Sequence, residues 1–327
     1  MENNEKKSKL NLAVYWGAAC GGCCVSVLDV HEKVLDIIEV ADFVFWPIAL
    51  DTKYKDVEAM PDLHIDITLF NGAIRNSENE HLAKLLRQKS KILIAYGSCA
   101  QLGGIPGLAN LTTKEELLKR VYEDSESTVN PDKIRPVTEF DVPEGKLTLP
   151  EFYNDVRTLD QVVDVDYYLP GCPPTSDRLV EVFTAVVSGS DLPPKGSVVG
   201  AEAKSLCDEC DRKKSEDKAV KRFYRPWEIE DDGETCFIEQ GLICMGPATR
   251  AGCGYRCIKG NSPCRGCYGP TPEITDPGAK MLSAIATVID SNDPGEIEGI
   301  INQIEDPAGT FYRMSVPAGI LRRKITT

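Results

Sequence analysis

The chemically informative residues of this chain are cysteines placed at the ends of apolar runs. Leu10 to Trp16 reads as a buried strand, and it leads into Gly17-Ala18-Ala19-Cys20-Gly21-Gly22-Cys23. A helical pattern follows, with apolar Val27, Leu28, Val34, Leu35 and Ile38. Such a strand–loop–helix turn holds a ligand at the carboxyl end of a parallel sheet. Here the loop offers thiols where a nucleotide site would offer a phosphate-cradling glycine pattern. Tyr96-Gly97-Ser98-Cys99 and Leu169-Pro170-Gly171-Cys172-Pro173-Pro174 repeat the design. Soft thiolates at strand ends suit an iron–sulfur cluster.

Around these motifs the strand candidates are Leu10–Trp16, Asp42–Ile48, His64–Phe70, Lys91–Gly97 and Val163–Leu169. Their continuous Val/Ile/Leu/Tyr runs suit strands covered on both faces. Helical patterns alternate with them, including Ser77–Gln88 and a segment carrying Leu179, Val180, Phe183, Val186 and Val187. The fold class is therefore α/β, with a parallel, flavodoxin-like sheet of five strands. Parallel strands share one carboxyl edge, so Cys20, Cys23, Cys99 and Cys172 can converge there. Cys24 reads as a small buried thiol at the start of a helix. His31 falls on the apolar face of that helix as a core histidine, and His64 and His81 have no cysteine near them. Glu123 to Asp160 reads as an irregular functional loop or partner contact.

The bulk numbers agree with metal ligation. The 327 residues suffice for two domains, and thirteen cysteines are an odd count that disulfides cannot exhaust. The net charge of −14 (37 basic against 51 acidic residues) argues against nucleic acid as a partner. Met1 to Lys9 is polar, and no run approaches the roughly 18 apolar residues of a membrane span. The expected location is the cytoplasm, where a reducing environment disfavours disulfides.

Beyond Asp191-Leu192-Pro193-Pro194-Lys195-Gly196, eight cysteines follow as Cys207-x2-Cys210, Cys236-x7-Cys244, Cys253-x3-Cys257 and Cys264-x2-Cys267. Hydrophobic periodicity is sparse there, so inorganic sites are expected to hold this cysteine-rich, mostly irregular half together. Paired CxxC motifs also describe zinc ribbons, and spacing alone does not name the metal. Asp276–Asp290 reads as a helix. In the tail, Phe311-Tyr312-Arg313-Met314 reads as a partner contact.

Taken together, these motifs resemble those of the small, electron-transferring subunit of nickel–iron hydrogenases. Asp51-Thr52-Lys53-Tyr54, Gly103-Gly104-Ile105-Pro106-Gly107, Cys244-Met245-Gly246-Pro247-Ala248-Thr249 and Pro263 to Thr271 are similar to the gamma subunit of the F420-non-reducing hydrogenases of methanogenic archaea. The resemblance implies three [4Fe–4S] clusters. The proximal one would use Cys20, Cys23, Cys99 and Cys172. The medial one would use Cys253, Cys257, Cys264 and Cys267, and the distal one Cys207, Cys210, Cys236 and Cys244. Cys207 stands where many such subunits have a histidine, and Cys257 completes a medial site that often has three cysteines. The added thiolates should lower the cluster potentials.

The resemblance also implies a large subunit carrying the nickel–iron centre. Its acceptor would be a delta-type iron–sulfur subunit of a heterodisulfide reductase complex in methanogenesis. An F420- or NAD(P)-reducing hydrogenase is the alternative within the class. The adjacent Cys23-Cys24 also resembles the small cluster-bearing subunit of respiratory NADH:quinone oxidoreductase, and a zinc-stapled interaction module is the alternative outside redox chemistry. The expected domains are 1–195 for the proximal cluster, 196–290 for the medial and distal clusters, and 291–327 as a partner-contacting tail.

Overall fold

A computed structural model describes residues 9–188, 192–215 and 220–324. Most of the polar N-terminal segment and Asp191 of the expected boundary lie outside the described residues. The first half runs β1 (Leu10–Trp16), α1 (Gly22–Leu28), α2 (Lys33–Val40), β2 (Ala41–Phe45), α3 (Tyr54–Ala59), β3 (Ile65–Asn71), β4 (Ile74–Asn76), α4 (Ser77–Lys89), β5 (Ser90–Tyr96), α5 (Ser98–Leu102) and α6 (Lys114–Tyr122). It continues with β6 (Glu139–Val142), β7 (Gly145–Thr148), β8 (Phe152–Arg157), β9 (Tyr167–Leu169), α7 (Ser176–Val187) and β10 (Ser197–Val198). The second half contains α8 (Leu206–Glu209), α9 (Arg256–Lys259), α10 (Pro277–Ala286), α11 (Pro294–Ile301) and α12 (Pro307–Phe311).

The main sheet has the order β10-β9-β5-β3-β1-β2, and every pairing in it is parallel. This is the flavodoxin-like order with one further edge strand, β10, beyond the five expected. Strand alternation explains the two cores. Leu12 and Val14 of β1 face a layer with Val27, Ile37, Leu179 and Val182 of the helices. Ala13 and Tyr15 face the opposite layer, with Phe70, Leu82 and Leu86. Helix α4 is well specified locally. Asn76 Oδ1 accepts from Asn79 N at 2.8 Å, acidic Glu78 and Glu80 open the helix, and Arg87 and Lys89 close it.

Several expectations change. The helical pattern after Cys23 is two helices, broken where His31 takes φ 56°. His31 is therefore exposed and not a core histidine, and Leu28 and Leu35 also face outward. The strand expected from Val163 begins only at Tyr167. The Glu123–Asp160 segment holds an exposed antiparallel hairpin, β6–β7, and β8, which pairs with β4.

The cysteine-rich half has a hydrophobic core of its own, contrary to expectation. Phe223, Phe237, Leu242, Met281 and Ile285 pack there with Ile300, Ile304, Phe311, Tyr312 and Val316 of the tail. The apolar residues that build this core come both from within the cysteine array, such as Phe223, Phe237, Leu242 and Ile258, and from the segments after it. Phe311, Tyr312 and Met314, expected to meet a partner, are buried within the chain. The tail also reaches the first half: Gly104 N donates to Met314 O at 3.0 Å, and Gln161 Nε2 to Pro317 O at 2.9 Å. Among the described residues no helix is long and apolar enough to cross a membrane.

Candidate metal centres

All thirteen cysteines are free thiols. Four of them gather where β1, β5 and β9 end. Gly97 N donates to Leu169 O at 2.8 Å and Ser98 N to Gly171 O at 2.7 Å, which pins the Cys99 turn beside the Cys172 turn. Gly97 sits at φ 88°, and a Cβ built on it would lie 2.5 Å from Cys23 Sγ. A Cβ on Gly104 would lie 2.5 Å from Cys99 Sγ. Glycine at these two positions is therefore what lets backbone and sulfur approach. Beyond burial, the largest cause, Cys99, Cys172 and Cys20 all lie near enough to Cys23 to raise its pKa, as does the adjacent Cys24. Cys24 is separate in its bonding: it is fully buried in α1, and Asn71 Nδ2 donates to its sulfur at 3.3 Å.

A second set forms around α8. Ser205 caps that helix, its Oγ donating to Asp208 Oδ2 at 2.9 Å, and the helix presents Cys207 and ends at Cys210. Cys236 is brought alongside by its N–H, which donates to Lys213 O at 2.8 Å. Arg212 secures the same loop through paired bonds to Asp231, both 2.7 Å, and a bond to Thr235 O at 2.9 Å. Gly246 faces both Cys207 and Cys244, its Cβ position lying 3.1 and 3.6 Å from their sulfurs.

Cys253, Cys257, Cys264 and Cys267 line a cavity of about 310 Å³ that Cys172 also borders. Glu209 fixes the Cys253 turn, accepting from Gly252 N and Gly254 N at 3.0 Å each. Ser98 Oγ lies 2.6 Å from Cys267 O and 2.9 Å from Gly171 O, so its one proton can reach either. Gly97-Ser98-Cys99 was legible as a motif, but the bridging place of Ser98 was not. Glu209 and Arg212 carry no sequence signal, because their partners are distant in the chain.

Burial dominates the thiol chemistry. Loss of solvation, followed by neighbouring sulfurs, pushes Cys99 up to about 12. Cys264 and Cys267 also rise to about 12 and Cys207 to about 11, with burial the main cause each time. Cys23 and Cys244 are pushed up for the same reason. Such thiols stay protonated at neutral pH unless a cationic centre holds them as thiolates. An iron–sulfur cluster meets that requirement, so the donor sets fit the group. Among the described residues no three His, Cys, Asp or Glu side chains are arranged to hold a single metal ion.

The chain is 42% identical over 321 residues to the iron–sulfur subunit of the F420-non-reducing hydrogenase of Archaeoglobus profundus, covering 97% of this chain and 99% of that protein. The chain belongs to the nickel–iron hydrogenase small-subunit family. The corresponding subunit of the F420-non-reducing hydrogenase of Methanothermobacter marburgensis is 40% identical over 323 residues, 97% of each chain. The family model described as NADH ubiquinone oxidoreductase, 20 Kd subunit matches residues 20–186. That match stops before Cys207, whereas both hydrogenase relatives extend across the second half as well. A solved NAD+-reducing [NiFe]-hydrogenase in its H2-reduced state aligns over 57% of this chain and 96% of that one, at 31% identity and a TM-score of 0.47. Members of the hydrogenase small-subunit family carry iron–sulfur clusters. This small subunit is thus the non-catalytic part of an oxidoreductase complex that includes a large subunit.

Proposed function

We propose that the chain is the electron-relay subunit of a nickel–iron hydrogenase and that twelve of its thiols hold three [4Fe–4S] clusters. Cys20, Cys23, Cys99 and Cys172 hold the proximal one. Cys253, Cys257, Cys264 and Cys267 hold the medial one, and Cys207, Cys210, Cys236 and Cys244 the distal one. Residues 1–195 then carry the proximal site and residues 196–290 the other two. The observation that carries this reading is the continuity of the thiol sets. Cys172, at the end of β9 beside the Cys99 turn, also borders the cavity lined by Cys253, Cys257, Cys264 and Cys267. At the next junction Cys264 N donates to Cys244 Sγ at 3.3 Å.

Clusters bound there supply one-electron chemistry. The chain's own part is spacing and burial. Ser98 and the Cys172 turn tie the first set to the second, and the backbone of Cys264 ties the second to the third. No side chain here needs to act as a base or nucleophile, since the nickel–iron centre belongs to the large subunit. By the resemblance of its sequence motifs, we further propose a delta-type acceptor subunit of a heterodisulfide reductase complex as the electron acceptor, and the cytoplasm as the location. Of the tail, the outward-facing Ile320 and Leu321 remain available to a partner.

Anaerobic co-purification followed by metal analysis and EPR tests the reading. About twelve iron and twelve acid-labile sulfide per chain are expected, with nickel in the associated large subunit. A [3Fe–4S] signal in the pure protein would remove the four-thiolate medial site. A colourless zinc protein would remove the relay altogether.

A further inference from the structure

Arg225, Arg265 and Arg313 come from three separate segments and line one pocket of about 90 Å³. That is more than the ~30 Å³ share of one liquid water. Burial, then the charges of Arg265 and Arg225, holds Arg313 below the ordinary guanidinium range, with Asp306 opposing. Glu305 pairs with Arg225. Arg225 Nε is nevertheless buried without a partner. Among the described residues neither Arg265 nor Arg313 makes an ion pair or side-chain hydrogen bond.

In a chain with 51 acidic against 37 basic residues, three guanidiniums against the carboxylates of Glu305 and Asp306 are a local reversal of charge. Arg225 and Arg313 are half-buried and Arg265 is exposed, and crowding like charges where two of the three have reduced solvation is unfavourable unless an anion joins them. Guanidinium forks match the paired oxygens of carboxylates and phosphates. We propose that Arg225, Arg265 and Arg313 form a binding site for a small oxyanion in the pocket that Cys264 also lines. Glu305 competes with that oxyanion for Arg225.

The site adjoins the medial thiols of the proposed relay through Cys264, yet binding can be read without any redox measurement. Loss of the clusters with binding retained would sink the relay and leave this site standing. The experiment is calorimetric titration of the anaerobically purified complex at fixed ionic strength, with inorganic phosphate in one arm and acetate in the other. Saturable binding of at least one probe is expected, and the tighter probe tells a tetrahedral oxyanion from a carboxylate. Arg265→Gln and Arg313→Gln should each weaken binding about tenfold or more. No saturable binding of either probe, or equal binding in wild type and both arginine variants, overturns the site. If the arginine variants do not assemble, Glu305→Gln decides: tighter binding upholds the proposal, and equal or weaker binding overturns it.

Discussion

Sulfur at Cys23 and Cys24 shows how one backbone step separates two roles. Cys23 faces the strand-end thiols across Gly97, while Cys24 turns back to Asn71. Replacing Cys24 with serine keeps a small buried group for Asn71, so iron content should match wild type. Loss of iron in that variant would instead favour the adjacent-pair ligation of the respiratory subunits. Gly97→Ala should act oppositely. Gly97 sits at φ 88° and ψ 164°, a conformation costing an alanine ~1–3 kcal/mol, and the new Cβ would press on Cys23 Sγ. About a third of the iron should be absent from the purified variant if the proximal site is lost.

Arg212 gives a pH-dependent test at the same scale. Its guanidinium, stacked 3.8 Å over the Phe237 ring, holds the Asp231 carboxyl at about 2. The folded value lies below the unfolded ~3.9, so this stabilisation is complete above the unfolded value and is lost as pH falls toward the folded one. Asp231→Asn should cost roughly 2 kcal/mol at neutral pH. In urea unfolding, the gap from wild type should stay constant from about pH 7 to 5 and narrow below about pH 4. A gap that widened in acid would show that the pair does not stabilise the fold.

Among the elements, α12 is short but has a large structural share. It is five residues long and begins with Pro307 behind Asp306, whose Oδ1 accepts from Gly309 N at 3.0 Å. Its end, Phe311, lies 2% exposed in the core that surrounds the cysteine-rich half. Phe311→Ala should therefore destabilise that half by about 3 kcal/mol or more. Limited proteolysis of the holoprotein should show faster cleavage within residues 205–267 while the sheet domain resists. Uniform resistance would mean that the clusters alone hold the half together, as the cysteine spacing by itself implies.

For the whole molecule, α1 and α2 expose Val25, Leu28, Leu35 and Ile38 beside the Cys20–Cys23 loop. An apolar face of this kind marks a protein contact. The large subunit is the expected occupant in the proposed relay, whose first stop after the nickel–iron centre is the Cys20–Cys23 loop. A Leu28→Glu/Leu35→Glu double variant should keep its iron but no longer co-purify with nickel. Retention of the large subunit at the wild-type ratio would place the interface on another face.

Strand ends, their cysteines and the parallel sheet were legible in the sequence because both are local. An apolar run names a strand, and parallel strands put their carboxyl ends on one edge. The helix expected over Ser77–Gln88 was legible for the same reason, its apolar spacing lying within the helix itself, and it runs one residue further to Lys89. The His31 break was not, because apolar spacing on both sides continues across it, and only the positive φ separates the helices. The second core was hidden too, since its members in the cysteine array follow no helical or strand period and meet partners from α10 and the tail only on folding. The Arg225, Arg265 and Arg313 pocket is likewise a product of chain folding, joining segments with no shared pattern. Sequence by itself determined which residues could ligate metal; tertiary structure decided which sulfurs neighbour which, because that depends on contacts between residues far apart in the chain.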